Sequence, residues 1–330
     1  MTVPLLGHTA TAAIVTQAGP LVFPSTQIAA VPGYRMAFEV ERTIEAREGG
    51  RTRLTVYNAG AAQRRLLASV AKRTWEVSPV PGALIDQRYP GVPAVVDVSS
   101  GVGHLRLTAG YPGLQGEVGW GSIVRVDDRR NGATWQTRID AQDGAVQRSN
   151  AVANKTFPPG TPVPAILSYL GGISGAVPGY LSPTLADVTL GAYTAAGRAR
   201  DEIRDIVSGA GASYAPIPGE VTGNGGAYDY WIEDGVLNVL DRGTPLPGPP
   251  LIVSEVPAPG AAPLLQRPEP LDGARYRVVV GLWPSVYLGQ ATQVVDSSGL
   301  LATYRVDGIK HVGDTEGSAW RTELTLSTLL

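Results

Sequence analysis

The sequence contains no cysteine. Disulfides, thiolate metal sites and cysteine nucleophiles are excluded together, and the redox compartment is left open. Charge is sparse and nearly balanced, with 27 Lys and Arg against 29 Asp and Glu and a net charge of −2. Nothing in that balance offers the basic stripe that nucleic-acid binding calls for. No run of about 18 apolar residues occurs, so no membrane-spanning helix is expected. The first charged side chain is Arg35, and the stretch before it is broken by Pro4, Gly19, Pro20 and Pro24. That segment has neither the basic start nor the compact apolar core of a secretory signal. It is expected to form strands, either in an interface with another chain or in the local core.

Chemistry-bearing motifs are equally scarce. The three histidines, His8, His104 and His311, are far apart and form no H-x-x-x-H or H-E-x-x-H, so zinc has no local signature. There is no P-loop, since GNGGAY (223–228) lacks the following Lys-Ser/Thr, and no G-x-S-x-G elbow. The acids Asp127-Asp128 and Asp314 through Glu316 lack calcium-loop spacing and are read as solvated hairpin-tip residues. Paired carboxylates for glycoside hydrolysis are placed by a fold rather than by spacing, and nothing argues for them. The six tryptophans, Trp75, Trp120, Trp135, Trp231, Trp283 and Trp320, fall mostly in predicted strands, where core packing explains them better than sugar stacking. No catalytic, cofactor-binding or metal-binding residue is therefore named, no cofactor is expected, and the chain is not expected to be an enzyme.

What is abundant is turn chemistry, with 41 glycines and 27 prolines among 330 residues. That profile suits a β-rich fold, and the length suits two or three domains. From Tyr34 the apolar residues alternate, through Met36, Phe38 and Val40 and again at Leu54 and Val56, around a turn at Gly49-Gly50. A helix follows near 59–72, with Asn58 as its N-cap. Further strands run to about residue 145, including a hairpin turned at Asn131-Gly132. The middle of the chain predicts a helix from Val163 to Leu170, ended by Gly171-Gly172. A second helix is predicted on Ala195, Ala199, Ile203, Ile206 and Val207, with Thr194 as cap and Gly209 as stop. A hairpin turned at Asp234-Gly235 comes next. The proline-dense run 244–270 reads as a connector holding one short strand, LIVS, and four strands close the chain.

One phrase occurs twice. Gly132, Trp135, Thr137 and Ile139 in GATWQTRI reappear as Gly317, Trp320, Thr322 and Leu324 in GSAWRTEL, a constant 185 residues later. The match runs ungapped over about fifteen positions, with IVRV (123–126) set against GIKHV (308–312). At a period of two, the Trp, the Thr and the aliphatic residue share one face, as barrel lining requires. The expected fold class is therefore mainly β with an α+β insert, two related tube-like β-barrel domains separated by a small α+β domain. The boundaries are a first barrel over 1–148, a middle domain over 149–232, and a second barrel over 233–330 that includes the proline-rich connector.

The strand LTAGY (107–111), the run GEVGWGSIVRVDDRRNGATWQTRIDAQDG (116–144), FPPGTPVPAILSYL (157–170), DYWIEDGVLNVLDRG (229–243) and GDTEGSAWRTELTL (313–326) occur in that order. In this order they resemble the baseplate hub proteins of contractile-tailed bacteriophages, the family of the phage T4 and phage Mu hubs. The resemblance covers most of the chain from about residue 34, and each motif is weak by itself. It implies a homotrimer whose two barrels per chain make a six-fold ring, with the tail tube protein and the central spike protein as partners. Tape-measure and baseplate wedge proteins are further candidates, and the implied location is the virion tail, after assembly in the host cytoplasm. The chain is short for such hubs and carries no peptidoglycan-cleaving motif, so lytic activity is not carried over. The alternatives are a β-barrel carbohydrate-binding protein or hydrolase, and the equivalent hub of a contractile injection system.

Overall fold

A computed structural model describes residues 8–16, 19–26, 33–44, 49–70, 83–85, 93–95, 103–143, 151–212, 227–256, 258–297 and 299–329. The chain divides into two compact units, one formed by residues 1–78, 98–143 and 245–329, the other chiefly by 79–97 and 144–244.

The first unit is a single 13-stranded sheet. Its N-terminal half contains β1 (Thr9–Thr16), β2 (Gly19–Pro24), β3 (Met36–Thr43), β4 (Arg51–Tyr57), β7 (His104–Tyr111), β8 (Leu114–Asn131) and β9 (Thr134–Gln142). Its C-terminal half contains β17 (Leu251–Ser254), β18 (Ala262–Asp272), β19 (Arg275–Gly281), β20 (Ala291–Asp296), β21 (Gly299–Asp314) and β22 (Trp320–Thr328). The C-terminal six strands close on themselves. β21 pairs with β22 and β20, β17 lies parallel to both β20 and β18, and β19 joins β18 to β22. The barrel closes between β17 and β18 only at Ala262 and Pro263, so among the described residues the rest of β18 keeps an open edge.

The two halves share one plan. In the first, the neighbours run β1-β7-β8-β9-β4-β3; in the second, β17-β20-β21-β22-β19-β18. Alternation builds both cores. Met36, Phe38, Val40, Leu54, Val56, Leu105, Leu107 and Ile139 are buried in the first half, and Val278, Val280, Val294, Val306, Leu324 and Leu326 in the second. Each buried aliphatic side chain contributes about 1.5–3 kcal/mol from the area removed from water. The uncharged N-terminal segment supplies Ala10, Ala12, Ile14 and Phe23 to the first core, so where it is described it forms local strands.

The helix α1 (Ala61–Val70) lies against the first core through Leu67 and Val70. Asn58 does not cap it. Its φ is +56°, and its side chain accepts the Trp135 amide at 3.0 Å. The cap is Gly60, whose N–H donates to Gln63 Oε1 at 2.8 Å. The proline-dense segment also departs from expectation. LIVS is β17, but β18 runs for 11 residues where the sequence predicts a connector. Proline is tolerated on an edge strand, where a missing N–H costs no ladder bond.

The second unit packs α2 (Val163–Ile173) and α3 (Ala199–Ala212) with a three-stranded sheet of β12 (Val177–Leu181), β16 (Val236–Asp241) and β15 (Tyr228–Glu233). Short antiparallel pairs join β10 (Lys155–Phe157) to β14 (Tyr193–Ala195), β11 (Thr161–Pro162) to β13 (Thr189–Leu190), and β5 (Ala83–Ile85) to β6 (Pro93–Val95). The β15–β16 hairpin turns at Asp234-Gly235, both at positive φ, as its sequence predicts. α2 runs through Gly171-Gly172 and stops at Gly175, where φ is +70° and the Ala176 N–H returns to the Gly171 carbonyl. Thr194 lies in β14 and Gly209 inside α3, so neither is a helix terminus. The apolar face read from the sequence is buried as expected.

Candidate functional surface: the repeated hairpins and their charged face

The duplicated phrase is duplicated geometry. Trp135, Thr137 and Ile139 lie on β9, and Trp320, Thr322 and Leu324 on β22, with both threonines fully buried. Thr137 stands opposite Asp128 and Thr322 opposite His311. Both hairpins carry a β-bulge in the same place. Ile123↔Ala141 is followed by Arg125↔Asp140, and Val306↔Leu326 by Gly308↔Thr325, leaving Val124 and Asp307 as the extra residues. A bulge fixes both register and local twist, so its repetition matters more than shared residue types. The second tip is two residues longer, since Gly313↔Trp320 takes the place of Arg130↔Trp135. Ile123–Val126 therefore corresponds to Val306–Ile309, not to the Gly308–Val312 run that an ungapped match selects.

β3 stitches the halves together by pairing with β21, from Thr43↔Gly308 to Ala37↔Asp314. Arg42 on β3 donates through Nη2 to His311 Nε2 at 3.0 Å. That fixes the tautomer, so His311 Nδ1–H donates to Thr322 Oγ1 at 2.9 Å, which also accepts the Trp283 N–H at 2.9 Å. Burial, and then the Arg42 guanidinium, hold the His311 pKa well below its ordinary value. His311 is thus the structural strand histidine its context suggests. His8 lies far from it in sequence and stacks on Trp320, with ring centroids 4.5 Å apart.

The opposite face of the joined sheet is charged. Across β9, β4, β3 and β21 runs a connected series: Arg138–Asp140 at 3.2 Å, Asp140–Arg53 at 3.3 Å, Arg53–Glu39 at 4.0 Å and Glu39–Lys310 at 3.5 Å. Glu323 on β22, opposite Lys310, continues it to Arg321 at 2.9 Å and to Arg277 on β19 at 2.8 Å. Burial pushes the Glu323 carboxyl up, but its two arginines outweigh that and hold it below the usual range. At the β8 end, Arg51, Arg53, Arg125 and Arg138 surround Asp140 in a shallow cavity of about 220 Å³. This face offers alternating, mutually paired charges rather than an apolar grip, and its ion pairs are half-exposed, so they add little stability.

The acids read as solvated turn residues are more engaged than that. Asp128 accepts Thr137 Oγ1–H at 2.9 Å and pairs with Arg64 at 2.9 Å. Asp314 accepts the Glu316 and Gly317 amides and holds Arg35 at 2.8 Å, which folds the longer tip. Among the tryptophans, Trp231 and Trp320 are buried and Trp135 lies under Arg64, 3.7 Å from its ring centroid, while Trp75 lies outside the described residues. Among the described residues, no three His, Asp or Glu side chains gather to hold a metal ion, and no helix is long and apolar enough to cross a membrane.

This fold, mainly β with a closed six-stranded barrel, is similar to that of two tail proteins of known structure. The 43 kDa tail protein of prophage MuSo2 from Shewanella oneidensis is similar with a TM-score of 0.54 at 10% identity, covering 97% of this chain and 98% of that one. A tail protein from Neisseria meningitidis MC58 gives 0.55 at 10% identity, covering 98% and 96%. At that identity the likeness is one of fold. No protein-family model matches the chain, and no curated protein matches its sequence.

Proposed function

We propose that this chain is a structural subunit of a phage tail, a baseplate hub that assembles as a homotrimer and adapts a six-fold tail tube to a three-fold central spike. The observation that carries the reading is the register-equivalent duplication, with its repeated bulge, inside one chain. Two equivalent strand sets per chain let three chains present six similar surfaces while keeping three-fold symmetry. The tail-protein fold supports the same assignment. On this reading the ion-paired face of β9, β4, β3, β21, β22 and β19 lines the central channel. Its charges are already partnered, so a polyanion passing through finds few unpaired cations to bind. The partners are other copies of the chain, the tube protein above and the spike below, and the work is done by interfaces rather than by a catalytic group.

Light scattering on the purified chain tests the proposal, with an expected mass three times that of the 34.5 kDa subunit. Negative-stain electron microscopy is expected to show a six-lobed ring. A monomer at all concentrations that binds an oligosaccharide would overturn the hub in favour of a carbohydrate-binding barrel.

A further inference from the structure

The two repeated hairpins differ in what lies along one edge. The edge of β21 is covered twice, by β20 along Gly299–Arg305 and then by β3 along Gly308–Asp314. The same edge of β8 is covered by β7 along Leu114–Ser122. Beyond that, among the described residues, no strand pairs with Arg125–Asn131 on this edge. Register makes Arg125–Asn131 the counterpart of Gly308–Asp314. The counterpart of β3 is β18, since β3-β4-β9 and β18-β19-β22 are equivalent runs of neighbours. β18 is also open along its outer edge, meeting β17 only at Ala262 and Pro263. Exposed apolar side chains mark both edges, with Val124 at 41%, Leu265 at 55% and Leu271 at 52% exposure. Long unpaired strand edges are templates for another chain.

We propose that β8 of one copy pairs antiparallel with β18 of a second copy, repeating between chains the β3–β21 joint made within the chain. This rests on the homotrimer reading above and names its interface. The contact is head-to-tail, each chain offering one β8 edge and one β18 edge, so three copies close a ring with three internal joints and three between chains. The register follows from the internal joint. Val312 faces Glu39, which pairs with Arg53; the counterparts are Arg129 for Val312, and Glu269, which pairs with Arg277, for Glu39. Arg129 thus meets Glu269 of the second copy, opposite charges directly across the joint. β18 carries Pro268 and Pro270 and is bulged, so the joint between chains has fewer ladder bonds than the internal one. Proline on an open edge also discourages indiscriminate pairing.

The absence of native cysteine makes the test clean. Arg129→Cys and Glu269→Cys are introduced together in the full chain, oxidised mildly and run on a non-reducing gel, with light scattering on the same sample. Directly opposed residues lie about 4.5–5.5 Å apart at Cα, within disulfide reach. Glu39→Cys with Val312→Cys is the control, expected to close within one chain. The expected result is covalent trimer as the main species and as the upper limit, with each single variant giving at most dimer. A trimeric mass without cross-linking above the single variants overturns the β8–β18 joint and leaves the homotrimer standing. A ladder running past trimer supports the joint and overturns the closed three-chain ring. A monomer with no cross-link overturns both.

Discussion

His311 and Thr322 face each other across β21 and β22 with Nδ1 2.9 Å from Oγ1, and Asp128 and Thr137 occupy the same two places in the first hairpin, also at 2.9 Å. One position in the repeat is thus kept for a polar link between neighbouring strands, buried in the second copy and half-buried in the first, while the partner of the threonine has changed. In the first copy the carboxylate turns to Arg64; in the second the imidazole turns to Arg42 on β3.

Replacing Thr322 with Val leaves two buried donors, the His311 Nδ1–H and the Trp283 N–H, without their acceptor. Each such loss costs about 1–3 kcal/mol, so a combined loss of about 3 kcal/mol is expected by urea denaturation. Thr137→Val costs less, about 1 kcal/mol, because Asp128 retains Arg64. Equal losses at the two sites would contradict this account.

Stability is expected to depend on pH through His311. Its folded pKa lies well below that of the unfolded chain, at about 6.5, so the neutral form is favoured on folding. The stabilisation is complete above the unfolded value and is lost as pH falls from there through the folded value. A fall in Tm between pH 7.5 and 5 is expected in the native chain and should shrink in His311→Gln, leaving the smaller part due to His8, whose pKa burial also lowers. Asp314 and Glu323, whose folded pKa values are also depressed, act at more acid pH, their contribution being lost as pH falls from the usual carboxylate range through the folded values. An unchanged slope in the variant would remove His311 from the explanation.

The halves meet tightly at Gly313. A Cβ there would stand 2.3 Å from the Phe38 ring and 2.9 Å from that of Trp320. Gly313→Ala is expected to cost about 1–3 kcal/mol by overpacking. At the open hairpin tip, Gly132→Ala meets nothing within 4 Å and should cost only the left-handed backbone strain at φ +59°, about 1–2 kcal/mol. Thermal melts of the two variants, with tryptophan fluorescence reporting on Trp320, check the difference.

Arg64→Ala removes both the stack on Trp135 and the ion pair with Asp128. An expected loss of about 1 kcal/mol should come with a red-shifted emission from Trp135 as its ring gains water. Arg64→Lys should restore only part of it, since an ammonium cannot stack as a planar guanidinium does.

Local chemistry made much of this legible in the sequence. Asp234-Gly235 calls for positive φ at both residues and its turn forms there, while the hairpin signalled by Asn131-Gly132 turns one residue later, at Gly132-Ala133, with Asn131 paired to Thr134 and Gly132 at positive φ. Trp135, Thr137 and Ile139 share a face because a strand repeats every two residues, and so do Trp320, Thr322 and Leu324. Their common spacing was enough to expose the duplication and the β-barrel class. Where local signals misled, a longer-range contact had taken over. Asn58 has the chemistry of a cap but answers to Trp135, 77 residues away. β18 is a strand despite its prolines because β19 supplies a partner on one side and the other side is an edge. Helix α2 continues through two glycines because packing on its apolar face outweighs their low propensity.

Other features exist only in three dimensions. The buried link from Arg42 to His311 spans 269 residues. The β3–β21 joint, the shared bulge and the ion-paired face all depend on strand order, which follows from which edges meet rather than from any local propensity. Periodicity and turn chemistry act within a few residues and therefore determined the strands and their repetition; register between distant strands is a property of the assembled sheet, and only the tertiary structure decided it.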